Sequence, residues 1–388
     1  MITGTAKLVV DLGNSETRVK TIYGKTAKGN VRSRLSILDN MYSSVSEDKA
    51  KAYIQEGTYN DGNSVVFCTE SGLCYCNGEM CRNEFASTGF RPSALEKKYE
   101  SMSTRLSLIN AIRQGIDDIA EINDVETSAV DVGWELYLLL PPEDIDIGAK
   151  PLAEVAKAIT SIDFLMPELK KAVRVTKVNV FPEGMCAFFG VIFKNKGVIR
   201  PEYKYLVEGN ESTIIFDIGA GTTDIVIVKG SQVVQSSRFT KEIGGNNVHR
   251  LVQRSLRNKN VPLPDSVIRE GVTTGFVKSG ARTIDITEDI AEAKRAVSTQ
   301  LVDGVQEFLE SSMISIRTIA NMLVCGGGAT ESTNSSIRPI ADYMVDYMRR
   351  LSPDLQLIEL PEVSNADGEM ERVSPRLLNI IGAGILAE

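Results

Sequence analysis

The feature that most constrains this chain is a local pattern that occurs twice. Near the start, Lys7 to Asp11 is an apolar run ending on an acid, Gly13-Asn14-Ser15 is a turn signal, and Thr17 to Tyr23 resumes residues of β type. In the second half, Thr213 to Phe216 runs into Asp217, Gly219-Ala220-Gly221 makes the turn, and Thr222 to Val228 returns as a strand. This is a weak internal repeat, one copy per half, and its recurrence matters. A length of 388 residues leads to the expectation of two domains.

Between and after the copies the chain alternates strands with amphipathic helices. Leu106, Ile109, Ile112, Ile116 and Ile119 fall at helical spacing within Thr104 to Ala120, and Val130 to Leu140 is β-rich with the only tryptophan, Trp134. A strand over Val178 to Phe181 stops at Pro182-Glu183-Gly184, and an apolar helix from Met185 to Phe193 follows. Helices are predicted over Asn247 to Leu256, Glu288 to Leu309, Ile340 to Met348 and Leu377 to Leu386, the last weakened by Gly382 and Gly384. Met322 to Cys325 reads as a short strand entering Gly326-Gly327-Gly328. Polar loops such as Glu208 to Ser212 and Asn365 to Glu369 read as connections.

A formal net charge of -8 argues against direct nucleic-acid or membrane-surface binding by the protein as a whole. No apolar run approaches the roughly 20 residues that span a bilayer and the start carries no targeting pattern, so a cytoplasmic protein with reduced thiols is expected. Cys68, Cys74, Cys76 and Cys81 lack the paired Cys-x2-Cys knuckles of a zinc site. A hairpin, with Ser64 to Cys68 and Leu73 to Cys76 as strands and Ser71-Gly72 and Asn77-Gly78 as turns, accounts for them better.

The two acid-plus-glycine hairpins suit a polyphosphate. Glycine lets backbone N-H groups approach phosphate oxygens, so Gly13, Asn14, Ser15, Gly219, Ala220, Gly221, Thr222 and Thr223 are candidate phosphate contacts, with Arg18 offsetting charge. A carboxylate would repel phosphate, so Asp11 and Asp217 more reasonably hold Mg2+ or its waters. The bland reading of one such hairpin is a tight turn. Two copies and a third glycine cluster make coincidence the poorer account. No Gly-x4-Gly-Lys-Ser/Thr loop or Gly-x-Ser-x-Gly elbow is present, and the single histidine, His249, reads as a surface or packing residue.

Taken in order, Val9 to Lys20, Phe181 to Gly190, Ile215 to Val228, Val324 to Ala329 and Leu377 to Leu386 resemble the five motifs of the actin-like ATPase superfamily: first phosphate, first connecting, second phosphate, adenosine and second connecting. Within it, "VVDLGNSETRVK", "FPEGMCAFFG", "FDIGAGTTDIVIV" and "EIGGNNV" look most like plasmid- and phage-encoded actins of the ParM type, the Alp family among them.

That resemblance implies a fold: duplicated actin-like (ribonuclease H-like) α/β domains, each a mixed sheet flanked by helices, around a central nucleotide cleft. Domain I would be residues 1–182, with the helix of residues 375–388 packing back on it, and domain II residues 183–374. The resemblance also implies roles. Glu183 and Asp217 would polarise and orient the attacking water, although Glu183 also reads as an acid answering a helix dipole. Gly326, Gly327 and Gly328 would lie against the adenosine, with Gly244, Gly245 and Asn246 opposite, or these glycines serve only as turns. Lys294 and Ser298 in "EAKRAVS" would approach ribose or base, or Lys294 is simply solvated.

ATP and ADP with Mg2+ are the implied cofactors, and the family also tolerates GTP. The implied partners are further copies of the chain, head to tail in a filament, and a small DNA-binding adaptor on a plasmid centromere-like site. Competing expectations are a sugar-type kinase or a non-polymerising regulatory ATPase. No substrate loop suggests the kinase, and the sequence stops at Glu388 without a peptide-binding module or an amphipathic anchor.

Overall fold

A computed structural model describes residues 1–26, 31–55, 66–69, 73–85, 87–93, 96–164, 169–329, 332–364 and 370–388. The chain divides into two compact units, residues 1–140, 144–182 and 383–388 in the first and residues 141–143 and 183–382 in the second.

In the first unit the strands β1 (Ile2–Leu12), β2 (Glu16–Lys25) and β3 (Val31–Asp39), the helix α1 (Met102–Asn123) and the strands β4 (Val130–Leu140) and β5 (Arg174–Pro182) form the main layer. The sheet order is β5-β4-β1-β2-β3, with β1 parallel to β4 and antiparallel to β2. Strands β1 and β4 are buried over most of their length because Val and Leu fill both faces, whereas β3, at the edge, keeps Leu35 and Ile37 exposed. Helix α1 lies on this sheet through Leu106, Ile109, Ile112, Ile116 and Ile119. Gly115 permits the approach, since a Cβ there would strike the Trp134 ring and Leu8. Each such buried side chain contributes roughly 1.5–3 kcal/mol.

A smaller antiparallel sheet in the same unit contains Tyr42–Val45, Val66–Cys68, Cys74–Asn77, Ser161–Phe164 and Leu169–Ala172. Cys68 is opposite Cys74 in its register. The Ser71-Gly72 turn, the start of the Ser64 to Cys68 strand and the Asn365 to Glu369 loop lie outside the described residues. Asn77-Gly78 is no hairpin turn: Asn77 ends the strand and Gly78, at φ +61°, opens the helix Gly78–Glu84. The expectation of reduced thiols throughout is corrected too, because Cys74 is disulfide-bonded, while Cys76, Cys81, Cys186 and Cys325 are buried free thiols.

The second unit holds α2 (Met185–Ile192), β6 (Ser212–Ile218), β7 (Thr223–Lys229), β8 (Phe239–Lys241), α3 (Gly245–Asn258), α4 (Thr287–Ser311), β9 (Ile319–Cys325) and the first half of α5 (Leu378–Ala387). Its sheet repeats the first unit's local topology: β6 is antiparallel to β7 and parallel to β9. Helix α4 presents Ile290, Ala293, Val297, Leu301 and Val305 to the core. The glycines of α5 do not break that helix. A Cβ at Gly382 would strike the Cys186 carbonyl and one at Gly190 the Leu378 carbonyl, so both glycines exist for close packing of α2 on α5.

Among the described residues no helix is long and apolar enough to cross a membrane.

Candidate functional site

In the second unit, Asp217 stands near the end of the buried strand β6 and is itself 5% exposed. The turn that follows is closed by Gly219 donating its N-H to the Thr222 carbonyl at 2.8 Å. Among the described residues the amides of Ala220, Gly221 and Thr222 donate to no backbone carbonyl, which leaves three N-H groups in one tight turn for an anion.

Two further glycine segments meet this turn. At the start of α3, Gly245 N-H donates to the Gly219 carbonyl (2.9 Å) and Asn246 N-H to the Ala220 carbonyl (2.8 Å). From the end of β9, Gly326 takes φ +89°, and a Cβ on it would collide with Asp217 Oδ1 and the Ile218 carbonyl; a Cβ on Gly328 would collide with Ile218 and Gly219. Only glycine fits at 326 and 328. The acid, the turn, the helix start and Gly326–Gly328 therefore form one patch of close-packed backbone.

Glu183, 7% exposed, precedes Gly184 at φ +70° and the first turn of α2. Asn379, on α5, ties this segment to the acid of β6. Its Oδ1 accepts the N-H groups of Gly184 and Ala187, both at 3.0 Å, and its Nδ2 donates to Asp217 Oδ2.

The hairpin of the first unit is built differently. Asp11 and Arg18 are cross-strand partners, and Arg18 Nη1 donates to Asp11 Oδ2 at 2.7 Å while its Nη2 donates to Glu16 Oε1 at 2.6 Å. Asp11 is 3% and Arg18 8% exposed. Asn40 spans the turn from below: its Nδ2 donates to the Gly13 carbonyl (2.5 Å), its N-H to the Ser15 carbonyl (3.2 Å), and its Oδ1 accepts Thr17 Oγ1 (2.8 Å). A pocket of about 260 Å³ opens beside this turn, lined by Gly13, Asn14, Lys98 and the hydroxyls of Ser101, Ser103, Thr104 and Ser107 at the start of α1.

A family model described as "Archaeal actin homologue MreB-like, C-terminal" matches residues 215–334, which include Asp217, its turn, the start of α3 and Gly326–Gly328. In overall structure the chain is similar to the ParM subunit of a 15-stranded filament from Clostridium botulinum, with a TM-score of 0.65, 16% identity and 98% of each chain covered. Residues 215–334 thus match a family of actin homologues, and the whole chain has an actin-like fold. Bacillus thuringiensis ParM with AMPPNP is similar as well, with a TM-score of 0.61, 15% identity and coverage of 98% of this chain and 97% of that one. In sequence the chain resembles the actin-like protein MamK of Magnetospirillum gryphiswaldense, 25% identical over 185 residues, which are 43% of this chain. The chain spans about half the length of that curated relative, 50%.

Four of the expected site residues make contacts that the sequence did not show. Thr223 is fully buried on β7 and donates its hydroxyl proton to the Ile243 carbonyl at 2.6 Å, so it anchors the segment before α3. Arg18 is held by two carboxylates and offsets their charge first. Lys294, 7% exposed, is not a solvated lysine: its Nζ donates to the Arg338 carbonyl at 3.1 Å, and Ser298 Oγ donates to the Ile340 carbonyl at 3.5 Å. Both face that backbone segment because α4 turns this side inward. Among the described residues no cluster of three or more His, Cys, Asp or Glu could hold a metal ion.

Two asparagines escaped the sequence reading. Asn40, which follows β3, was not singled out in the sequence. Asn379 had a signal, being the only side chain in "LNIIGAGILA" that can donate or accept a hydrogen bond.

Proposed function

We propose that this protein is a nucleotide-hydrolysing, filament-forming actin of the cytoplasm, which assembles head to tail with ATP, disassembles after hydrolysis and segregates plasmid DNA through a small DNA-binding adaptor. The observation that carries the reading is the patch in the second unit where Asp217, three unspent amides and Gly326–Gly328 come together with no side chain intervening. The filament and AMPPNP named for the two ParM relatives support the same reading.

In this reading each acid-glycine hairpin clamps phosphates. The amides of Ala220, Gly221 and Thr222 donate to phosphate oxygens, as do those of Asn14 and Ser15 and the Thr222 hydroxyl. Asp217 and Glu183 orient and polarise the attacking water, and the glycines at 244, 245 and 326–328, with Asn246, line the adenosine. Phosphoryl transfer requires mainly positioning and charge stabilisation, which fixed carboxylates supply.

Asp11 and Asp217 would hold Mg2+ or its waters, and the ion would supply positive charge to offset the phosphates. Carboxylate oxygens are the donors that a hard cation takes.

Right-angle light scattering with ATP, ADP and AMPPNP, followed by electron microscopy, tests the proposal. Scattering should rise with ATP, fall as phosphate is released, and persist with AMPPNP, with filaments visible at the plateau. Flat scattering beside steady phosphate release would overturn the filament and favour the kinase reading. Parallel assays with GTP give the base preference, and a pull-down with plasmid DNA alone should recover nothing without the adaptor.

A further inference from the structure

We propose that Asn379 is the positioning residue for the hydrolytic carboxylates, holding Asp217 in one orientation and fixing the peptide that follows Glu183. The inference rests on the reading of Asp217 and Glu183 as the groups that act on water.

Asn379 is 5% exposed and reaches across sequence separations of 195, 192 and 162 residues to Gly184, Ala187 and Asp217. The sense of its amide is dictated by chemistry. Two backbone N-H groups at 3.0 Å can be answered only by an oxygen, so Oδ1 faces Gly184 and Ala187 and the NH2 end faces the carboxylate. Asp217 thus receives a neutral donor on Oδ2, which fixes the plane of its carboxylate while leaving its charge intact. Oδ1, lying against Gly326, is turned toward the glycine patch. The same side chain satisfies two of the amide groups that α2 leaves without intrahelical partners, and the Gly184 N-H it holds belongs to the peptide bond of Glu183. One amide therefore holds the Asp217 carboxylate and the backbone that follows Glu183.

A purely structural rival exists, because an amide capping α2 stabilises the fold whatever Asp217 does. The two are separated by full-length variants assayed for ATP turnover, for affinity of a fluorescent ATP analogue and for stability in urea. Asn379→Leu should lower kcat about a hundredfold with analogue affinity within about threefold, since misplacing a reacting group is felt in the chemical step. Asn379→Asp sets two carboxylates against each other and should unfold at lower urea than the wild type at pH 7. Adding Asp217→Asn to it restores a complementary pair, so the double variant should regain stability at pH 7 without regaining turnover.

Wild-type kcat in Asn379→Leu, or kcat and affinity falling in proportion, would overturn the proposal. Failure of the swap to restore stability would overturn it as well. Intact turnover in Asp217→Ala would instead overturn the catalytic reading beneath it, while recovery in the swap would still establish the bond.

Discussion

The two hairpins share a grammar and differ in how their acid is treated. In the first unit Asp11 faces Arg18 across the β1–β2 ladder, and the pair is buried and ion-paired at 2.7 Å. In the second unit the position across from Asp217 is Asp224, which accepts Thr240 Oγ1 at 2.6 Å, and the group reaching Asp217 from α5 is the neutral amide of Asn379. A guanidinium cancels charge and an amide only orients it. In the proposed reading, the first acid would hold the ion and the second would orient the water.

The largest effect that can break this comparison is on turnover. Glu183→Ala should leave ATP binding and assembly in place and slow phosphate release about a thousandfold, the order expected for removal of a group that handles the attacking water's proton. A coupled phosphate assay beside light scattering decides it, and normal turnover would remove Glu183 from the mechanism.

The next effect is on stability. Asp11→Ala leaves the buried Arg18 guanidinium with Glu16 as its remaining carboxylate partner and should cost about 2 kcal/mol in urea unfolding, with nucleotide affinity lost alongside. Adding Arg18→Leu should return part of the stability and none of the affinity. Asp217→Ala takes the acceptor from the neutral Asn379 amide and should cost less, about 1 kcal/mol. Equal losses would erase the distinction between the hairpins.

Asn40 offers a smaller and sharper test. Asn40→Leu removes the donor to Gly13 and leaves the Thr17 hydroxyl without its acceptor, so about 2 kcal/mol of stability should go, with roughly tenfold weaker ATP binding and unchanged kcat. That pattern is the reverse of the one for Asn379→Leu, and identical patterns would mean that neither asparagine acts selectively.

Both asparagines show where sequence reading stops. The strands β1, β2, β6, β7 and β9 and the helix α1 were legible because burial imposes a period on Val, Leu and Ile, and the acid-glycine turns because glycine clusters punctuate strands. Arg18 was legible as a positive charge but not as Asp11's partner, since cross-strand register is set by pairing and not by composition. The helices Ile145–Lys157 and Asp265–Thr274 went unread, the first carrying Pro151, a residue that reads as a break in a helix. The Lys294 bond to the Arg338 carbonyl was not legible because a helix sequence does not say which polar residue meets a backbone carbonyl.

The smallest effect concerns the only histidine. His249 lies on α3, four residues after Gly245, whose amide supports the Gly219 turn. Burial first and then the Arg269 guanidinium lower its pKa from 6.5 to about 4, opposed by Asp265, and its Nδ1 is buried without a partner. Between those values the unfolded chain takes up a proton that the folded unit refuses. Stability contributed by the neutral ring is therefore complete above about pH 6.5 and is lost as pH falls toward 4. Discounted for partial solvent screening, the loss at pH 5 should be about 1 kcal/mol. The first unit has no histidine, so acid should loosen the α3 start and the Gly219 turn before the Gly13 turn. Hydrogen exchange at pH 7 and pH 5 reads the order directly. His249→Gln should remove the difference between the two pH values in the second unit, and a difference that survives the substitution would assign the acid sensitivity to the carboxylates of that unit instead.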